Sequence, residues 1–93
     1  MVEEITSFVA ECFWPGVRTS DLHALDARAL AQAAALSRAG EDVRYLGSIL
    51  LREDEVVLCR FQGAAAAVRQ AAVGAEIPFA RILRAAQSPW PLQ

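Results

Sequence analysis

Hydrophobic residues recur along the chain with two different spacings, and the order of these spacings predicts the fold. Apolar residues at alternate positions are typical of strands, whereas apolar residues three and four positions apart are typical of a helix that covers a core. The strand pattern occurs four times and the helix pattern twice. In chain order the predicted elements are strand 5–14, helix 19–39, strand 43–51, strand 55–61, helix 64–73 and strand 81–86.

Residues that interrupt regular structure separate these segments. Pro15 and Gly16 end the first strand, because proline lacks a backbone donor and glycine accepts the dihedral angles of a turn. Gly40 and Gly74 stand where the two helices are predicted to end. The charged segment 52–54 joins two strands and predicts a hairpin.

The resulting order, βαββαβ, predicts the α+β class and a ferredoxin-like fold, with a four-stranded antiparallel sheet in the order 4-1-3-2 and both helices on one face. A side-chain period of two then assigns each strand residue to a face. The side chains predicted to face the helices are Phe8, Ala10, Cys12, Leu46, Ser48, Leu50, Val57, Cys59 and Phe61. Those predicted on the opposite face are Val9, Glu11, Phe13, Tyr45, Gly47, Ile49, Val56, Leu58 and Arg60.

The second set is too apolar to face water, so we expect two copies to pair through it as a homodimeric α+β barrel. Composition agrees, because 55% of the residues are hydrophobic, a high share for 93 residues. A chain of this length supports one domain, 1–93. Its core is predicted over 5–86, and the proline- and tryptophan-containing tail 87–93 is predicted to be extended.

Charge and chain ends exclude several functions. A net charge of −2 with arginines and acids interleaved gives no basic stripe, so we expect no nucleic-acid partner and no binding to an anionic membrane. Glu3 and Glu4 stand where a secretory signal would be positive, and no apolar segment is long enough to span a membrane. We therefore expect a cytoplasmic protein in which Cys12 and Cys59 stay reduced.

Three polar residues on the predicted open side of the sheet are candidate ligand-binding residues. Glu11 and Arg60 lie on neighbouring predicted strands and Tyr45 on the next, so a carboxylate, a guanidinium and a phenol would share an apolar surface. The alternative is that Glu11 and Arg60 form an ion pair that only satisfies itself in a half-buried interface.

Other polar residues give weaker signals. Cys12 and Cys59 are expected to be small buried hydrophobes, and His23, the only histidine, is expected at the surface. The acids of 53–55 are expected to be solvated at the hairpin. No phosphate-binding glycine loop, Ser-His-Asp set, HExxH motif or paired CxxC motif is present, and catalytic residues remain unassigned.

Three stretches together resemble a family of small bacterial ferredoxin-like proteins, many of them known only as domains of unknown function. They are Phe8–Gly16 (FVAECFWPG), Val43–Ser48 (VRYLGS) and Ile77–Ile82 (IPFARI), and the resemblance covers roughly Ile5 to Ala86. A characterised branch of that family binds nickel as a homodimer. Five residues match its motif: Glu11, Pro15, Gly16, Arg44 and Ser48.

The resemblance implies a dimeric scaffold, but this chain lacks the expected metal ligands. Phe13, Gly47 and Gln70 occupy positions where members often carry histidine, the usual nitrogen ligand of nickel. A site built on Glu11 with other acids would be weak, so we expect no stable nickel binding, no metal site and no cofactor.

Three functions stay open from the sequence. The first is a non-catalytic dimeric binding protein that holds a small molecule, with the nickel site lost. The second is a cofactor-independent enzyme, resembling a small monooxygenase or isomerase, with Glu11 as base and Arg60 stabilising an oxyanion or enolate. The third is a structural module whose open face only dimerises.

Overall fold

Four strands and two helices make up residues 5–87, the part of the chain that the computed structural model describes. In chain order the elements are β1 (Ile5–Phe13), α1 (Thr19–Arg38), β2 (Val43–Leu51), β3 (Val56–Gly63), α2 (Ala65–Gly74) and β4 (Arg81–Gln87). All six predicted elements are confirmed. Gln87 belongs to β4, and the rest of the predicted tail lies outside the described residues.

The strands form one antiparallel sheet in the order β2-β3-β1-β4, as the sequence predicts. This order and the βαββαβ succession confirm the ferredoxin-like α+β fold. Strands β3 and β1 are central, and β2 and β4 form the edges. The middle of the sheet is therefore built from residues near Val9 and Arg60, which lie opposite each other.

Both helices pack on the same side of the sheet, here called the helix face. Alternate strand residues point into this layer and are fully buried, with Phe61 the largest. The helices contribute small side chains to it, mostly alanine, which let helix and sheet backbones approach closely. The buried core consists of Ala10, Cys12, Leu25, Ala29, Ala33, Val43, Tyr45, Val57, Cys59, Phe61, Ala67, Val68, Ala71, Ala72, Ala75 and Ile77.

Local hydrogen bonds explain where α1 begins and ends. The Arg18 backbone N–H donates to Asp21 Oδ2 over 2.9 Å, and this bond lowers the pKa of the Asp21 carboxyl group. At the other end, the Gly40 N–H donates to the Ser37 carbonyl and the Glu41 N–H to the Leu36 carbonyl. These two bonds form a Schellman motif, which confirms Gly40 as the terminating residue.

Predicted ends differ from the structure by one or two residues in every element except β2. Trp14 is not part of β1, although its backbone N–H still donates to the Glu55 carbonyl over 2.9 Å. Gly63 pairs with Val43 at the end of β3, so the strand continues two residues past Phe61. Pairing with β2 thus extends β3 past Phe61, the last residue that its alternating apolar pattern includes.

A β-bulge interrupts β2 and changes which residues share a face. Tyr45 pairs with Phe61, but Gly47 pairs with Arg60, so Leu46 is an extra residue without a partner. Gly47 has a φ of 107°, a conformation that side-chain-bearing residues rarely adopt. The prediction that Tyr45 lies opposite the helices is therefore wrong. Leu46, which was predicted to face the helices, is also absent from the residues that pack against the core.

Candidate functional site

The side of the sheet away from the helices, here called the open face, carries the predicted polar candidates on an apolar background. Strand register places the following residues on it: Ser7, Val9, Glu11, Phe13, Arg44, Gly47, Ile49, Leu51, Val56, Leu58, Arg60, Gln62, Arg81, Leu83 and Ala85. Four of its large hydrophobic side chains are well exposed, at 72% for Phe13, 41% for Ile49, 41% for Leu51 and 37% for Leu83. No element of residues 5–87 covers this face.

Glu11 lies on the open face as predicted, but its partner is Arg81 and not Arg60. Arg81 Nε donates to Glu11 Oε1 over 2.6 Å, because the two residues stand directly opposite each other on β4 and β1. The neighbouring carboxylate raises the pKa of the Arg81 guanidinium. The ion pair therefore occupies one oxygen of the Glu11 carboxylate.

Arg60 also lies on the open face, two residues along β3 from the position opposite Glu11. Its Nη2 donates to the Leu46 carbonyl over 3.1 Å, and its Nε is buried without a hydrogen-bond partner. The bulge allows this contact, because the unpaired Leu46 directs its carbonyl toward Arg60. Gly47 has no side chain and leaves room beside the guanidinium. A Cβ at Gly47 would stand 3.8 Å from Arg60 Nη2.

Tyr45 is separated from the other two candidates by the sheet. Its ring packs against Phe61 in the core, with ring centroids 4.9 Å apart and planes tilted by 58°. Its hydroxyl donates to Asp26 Oδ1 of α1 over 2.5 Å. Burial and this bond raise the pKa of the phenol well above its ordinary value. Tyr45 thus joins α1 to β2 and does not line a site with Glu11 and Arg60.

Cys12 and Cys59 occupy the helix face as predicted and are both free and fully buried. Contact with Cys12 and burial raise the pKa of the Cys59 thiol. A buried thiol held in its neutral form is a poor nucleophile, which applies to Cys59. Both side chains are completely buried, so Cys12 and Cys59 contribute to the packing of the core.

The positions expected to carry histidine in the resembled family do not converge here. Phe13 and Gly47 lie on the open face, whereas Gln70 is exposed on α2, on the other side of the sheet. Within residues 5–87, no group of three or more His, Cys, Asp or Glu side chains could hold a metal ion.

The acidic hairpin has a structural role that the sequence did not indicate. Glu55 Oε2 accepts a hydrogen bond from the Gly16 backbone N–H over 3.1 Å. Together with Val17, Leu50 and Arg52, these residues line a shallow cleft of about 300 Å³. Glu55 therefore connects the hairpin to the loop after β1.

Arg81 is the residue of this site that sequence reasoning missed. It was assigned to the last strand, but its pairing with Glu11 depends on the register between strands 70 residues apart in sequence. The period of two along β4 indicates that Arg81 and Leu83 lie on the same face of the sheet. It does not indicate which residue of β1 pairs with Arg81.

Comparisons with known proteins bear on the fold. No protein-family model matches the chain, and no curated protein matches it significantly. A crystal structure of SCO4226 from Streptomyces coelicolor A3(2) superposes with a TM-score of 0.59 at 19% sequence identity, covering 94% of this chain and 98% of that one. The two chains share one fold. The near-complete coverage on both sides shows domains of similar size and architecture, and at this identity the likeness extends to the fold alone.

In the described part of the chain, neither helix combines the length and the hydropathy needed to cross a membrane.

Proposed function

We propose that this protein is a non-catalytic homodimeric binding protein, in which two copies pack open face to open face around a small molecule near Glu11 and Arg60. The observation that carries the proposal is the composition of the open face: exposed large hydrophobic side chains around a guanidinium with a buried, unpartnered Nε. Apolar surface of this kind is seldom left in water by a monomer. A polar group among apolar residues is typical of a ligand site.

A second copy is the occupant that the open face fits best. Four strands of about eight residues span roughly 26 by 19 Å, or about 500 Å² of sheet per copy, so two faces together reach the roughly 1,000 Å² of a specific interface. The face also carries charges of both signs, Glu11 with Arg44, Arg60 and Arg81. In a two-fold dimer, Glu11 of one copy can therefore lie near an arginine of the other copy. A partner with charges of only one sign could not complement both groups.

The Glu11–Arg81 ion pair favours binding over catalysis. An enzyme with Glu11 as general base would need that carboxylate free to take a proton from substrate, whereas its Oε1 already accepts a hydrogen bond from Arg81. Glu11 is therefore better suited to holding Arg81 in place than to accepting a proton.

Free thiols at Cys12 and Cys59 support a location in a reducing compartment, and we include the cytoplasm in the proposal.

The pairing of open faces is tested by introducing charge on them. Leu58→Asp and Leu83→Asp should each convert the dimer into a monomer in light scattering, because a buried unpaired carboxylate is strongly unfavourable. The matched control is Leu30→Asp, the same change at an exposed leucine of α1, which should leave the dimer intact. A dimer that survives both open-face substitutions would refute this interface.

The binding role is tested by native mass spectrometry of freshly purified, untagged protein. A dimer that carries an organic mass, lost in the Leu58→Asp monomer, is the expected result. A dimer of bare polypeptide mass would instead favour a structural module in which side chains fill the space between the sheets. A retained metal ion would contradict the expectation that nickel binding is lost.

A further inference from the structure

We propose that Arg60 binds the carboxylate of a small, largely apolar organic acid that is enclosed between the open faces of two copies. This inference rests on the homodimer proposed above and names the chemistry of its ligand. It follows from the hydrogen-bonding state of Arg60, from its lack of a counter-ion and from its place in the sheet.

The guanidinium of Arg60 has donors that the described residues leave unused. An arginine carries five N–H donors, and Arg60 uses one nitrogen, Nη2, to bind the Leu46 carbonyl. Its Nε is out of contact with solvent and has no partner. Nε is covered by the chain itself, so the donors left for an acceptor on the open face are at the Nη1 and Nη2 end of the guanidinium. A carboxylate can accept two parallel hydrogen bonds from that end.

Arg60 also lacks a neutralising charge. Glu11 is the acid nearest in register, but it pairs with Arg81, and no described carboxylate forms an ion pair with Arg60. When a second copy covers the open face, the guanidinium becomes more buried and its lost hydration must be replaced. An anion between the copies replaces it. The ligand therefore carries a negative charge.

The surroundings of Arg60 define the rest of the ligand. Arg60 lies near the middle of the open face, because β3 and β1 are the central strands. Val9 stands opposite it and Gly47 lies beside it on β2, while Leu58 and Gln62 flank it along β3 on this face. On the Leu58 side these neighbours offer apolar contacts and the space left by a missing side chain. A short aliphatic or aromatic acid can place its carboxylate at Arg60 and its apolar part toward Leu58.

The bulge at Leu46 fixes the guanidinium before the ligand arrives. The Leu46 carbonyl holds one nitrogen, so the remaining edge of the fork is presented in a defined orientation. Such preorganisation lowers the entropy lost on binding. It also gives Arg60 a role that lysine cannot reproduce, since an ammonium has no planar fork.

The test compares acids with their uncharged amides. Calorimetric titration of the wild-type protein with benzoate and hexanoate should show binding, and the matched probes benzamide and hexanamide should bind about ten- to hundred-fold more weakly. Arg60→Met should lose the preference for the acid, and Arg60→Lys should retain part of it. The matched control Arg84→Met removes an exposed arginine of β4 that lies on the helix side of the sheet, and should bind as the wild type does.

Each result is read together with the oligomeric state of the same sample. Equal affinity for acid and amide, or benzoate binding unchanged in Arg60→Met, would overturn the inference. A wild-type dimer that binds neither acid would also overturn the inference, while leaving the proposed homodimer intact. In that case Glu11 of the second copy would be the counter-ion of Arg60. Glu11→Gln should then dissociate the dimer as strongly as Arg60→Met does. A monomeric wild-type protein would overturn the proposed function itself.

Discussion

Both faces of the sheet carry large apolar side chains, but residues 5–87 cover only one of them. On the helix face Phe61, Val57 and Cys59 are completely buried beneath α1 and α2. On the open face Phe13, Ile49 and Leu83 remain exposed. The sequence does not distinguish these two environments, because strand periodicity assigns residues to opposite sides without stating what packs against either side. The difference shows that the described elements bury one face of the sheet and leave large hydrophobic side chains of the other face exposed.

The largest expected effect is the contrast between two phenylalanines on opposite faces. Phe61→Ala should lower the free energy of unfolding by about 3–5 kcal/mol, since it leaves a cavity in a filled core. Phe13→Ala should change the stability of the monomer by less than about 0.5 kcal/mol, because the side chain is exposed. Urea denaturation at low protein concentration measures both. Equal losses would show that the open face is already buried in the monomer and would break the comparison.

The next effect concerns the polar bond within the helix face. Tyr45→Phe should lower the free energy of unfolding by about 2 kcal/mol, because it removes a hydrogen bond to a carboxylate. The folded protein raises the pKa of Tyr45, so this stabilisation is complete below pH of about 10, where the unfolded phenol titrates, and is lost as the pH rises further.

Tyr45 is the only tyrosine in the chain, so tyrosinate absorbance at 295 nm reports this residue alone. The native protein should titrate at higher pH than the urea-unfolded protein. A native titration near pH 10 would be inconsistent with Tyr45 in the core and would favour the open face, where the strict alternation of β2 predicted it. Urea denaturation of Tyr45→Phe should show a smaller decrease in stability above pH 10 than the wild type shows.

The smallest effect concerns the backbone of the open face. Gly47→Ala should cost about 1 kcal/mol, since an alanine is strained at the positive φ of this residue. The added Cβ meets only Arg60 Nη2, at an ordinary contact distance of 3.8 Å, so the cost comes from the backbone. Thermal denaturation measures it. Wild-type stability in this variant would mean that β2 can abandon the bulge.

The sequence predicted the fold almost completely, whereas it predicted only part of the site. Alternating and helical periodicities are local, so the elements, the sheet order and the buried Cys12 and Cys59 could be inferred from them. Tyr45 was assigned to the wrong face because one unpaired residue shifts the period of two, and no local signal other than the glycine at 47 marks it.

The partner of Glu11 was also beyond local reasoning. Glu11 and Arg60 do share a face, yet Arg81 stands directly opposite Glu11 and takes the carboxylate. That choice depends on the register of β4 against β1, which is set when distant segments pack together. Candidate residues could therefore be named from the sequence, but their partners required the structure.

The bulge in β2 has a consequence for how chains of this fold should be compared with one another. Because Tyr45 and Gly47 pair with consecutive residues of β3, deletion of the codon for Leu46 would restore a regular ladder without moving any other side chain of β2 to the opposite face. The extra residue thus leaves the other side chains of β2 on their faces, while it adds the carbonyl that holds Arg60. Homologues one residue shorter here should be aligned with a gap at position 46. Gain or loss of this single codon would add or remove the carbonyl that orients Arg60, without changing the arginine itself.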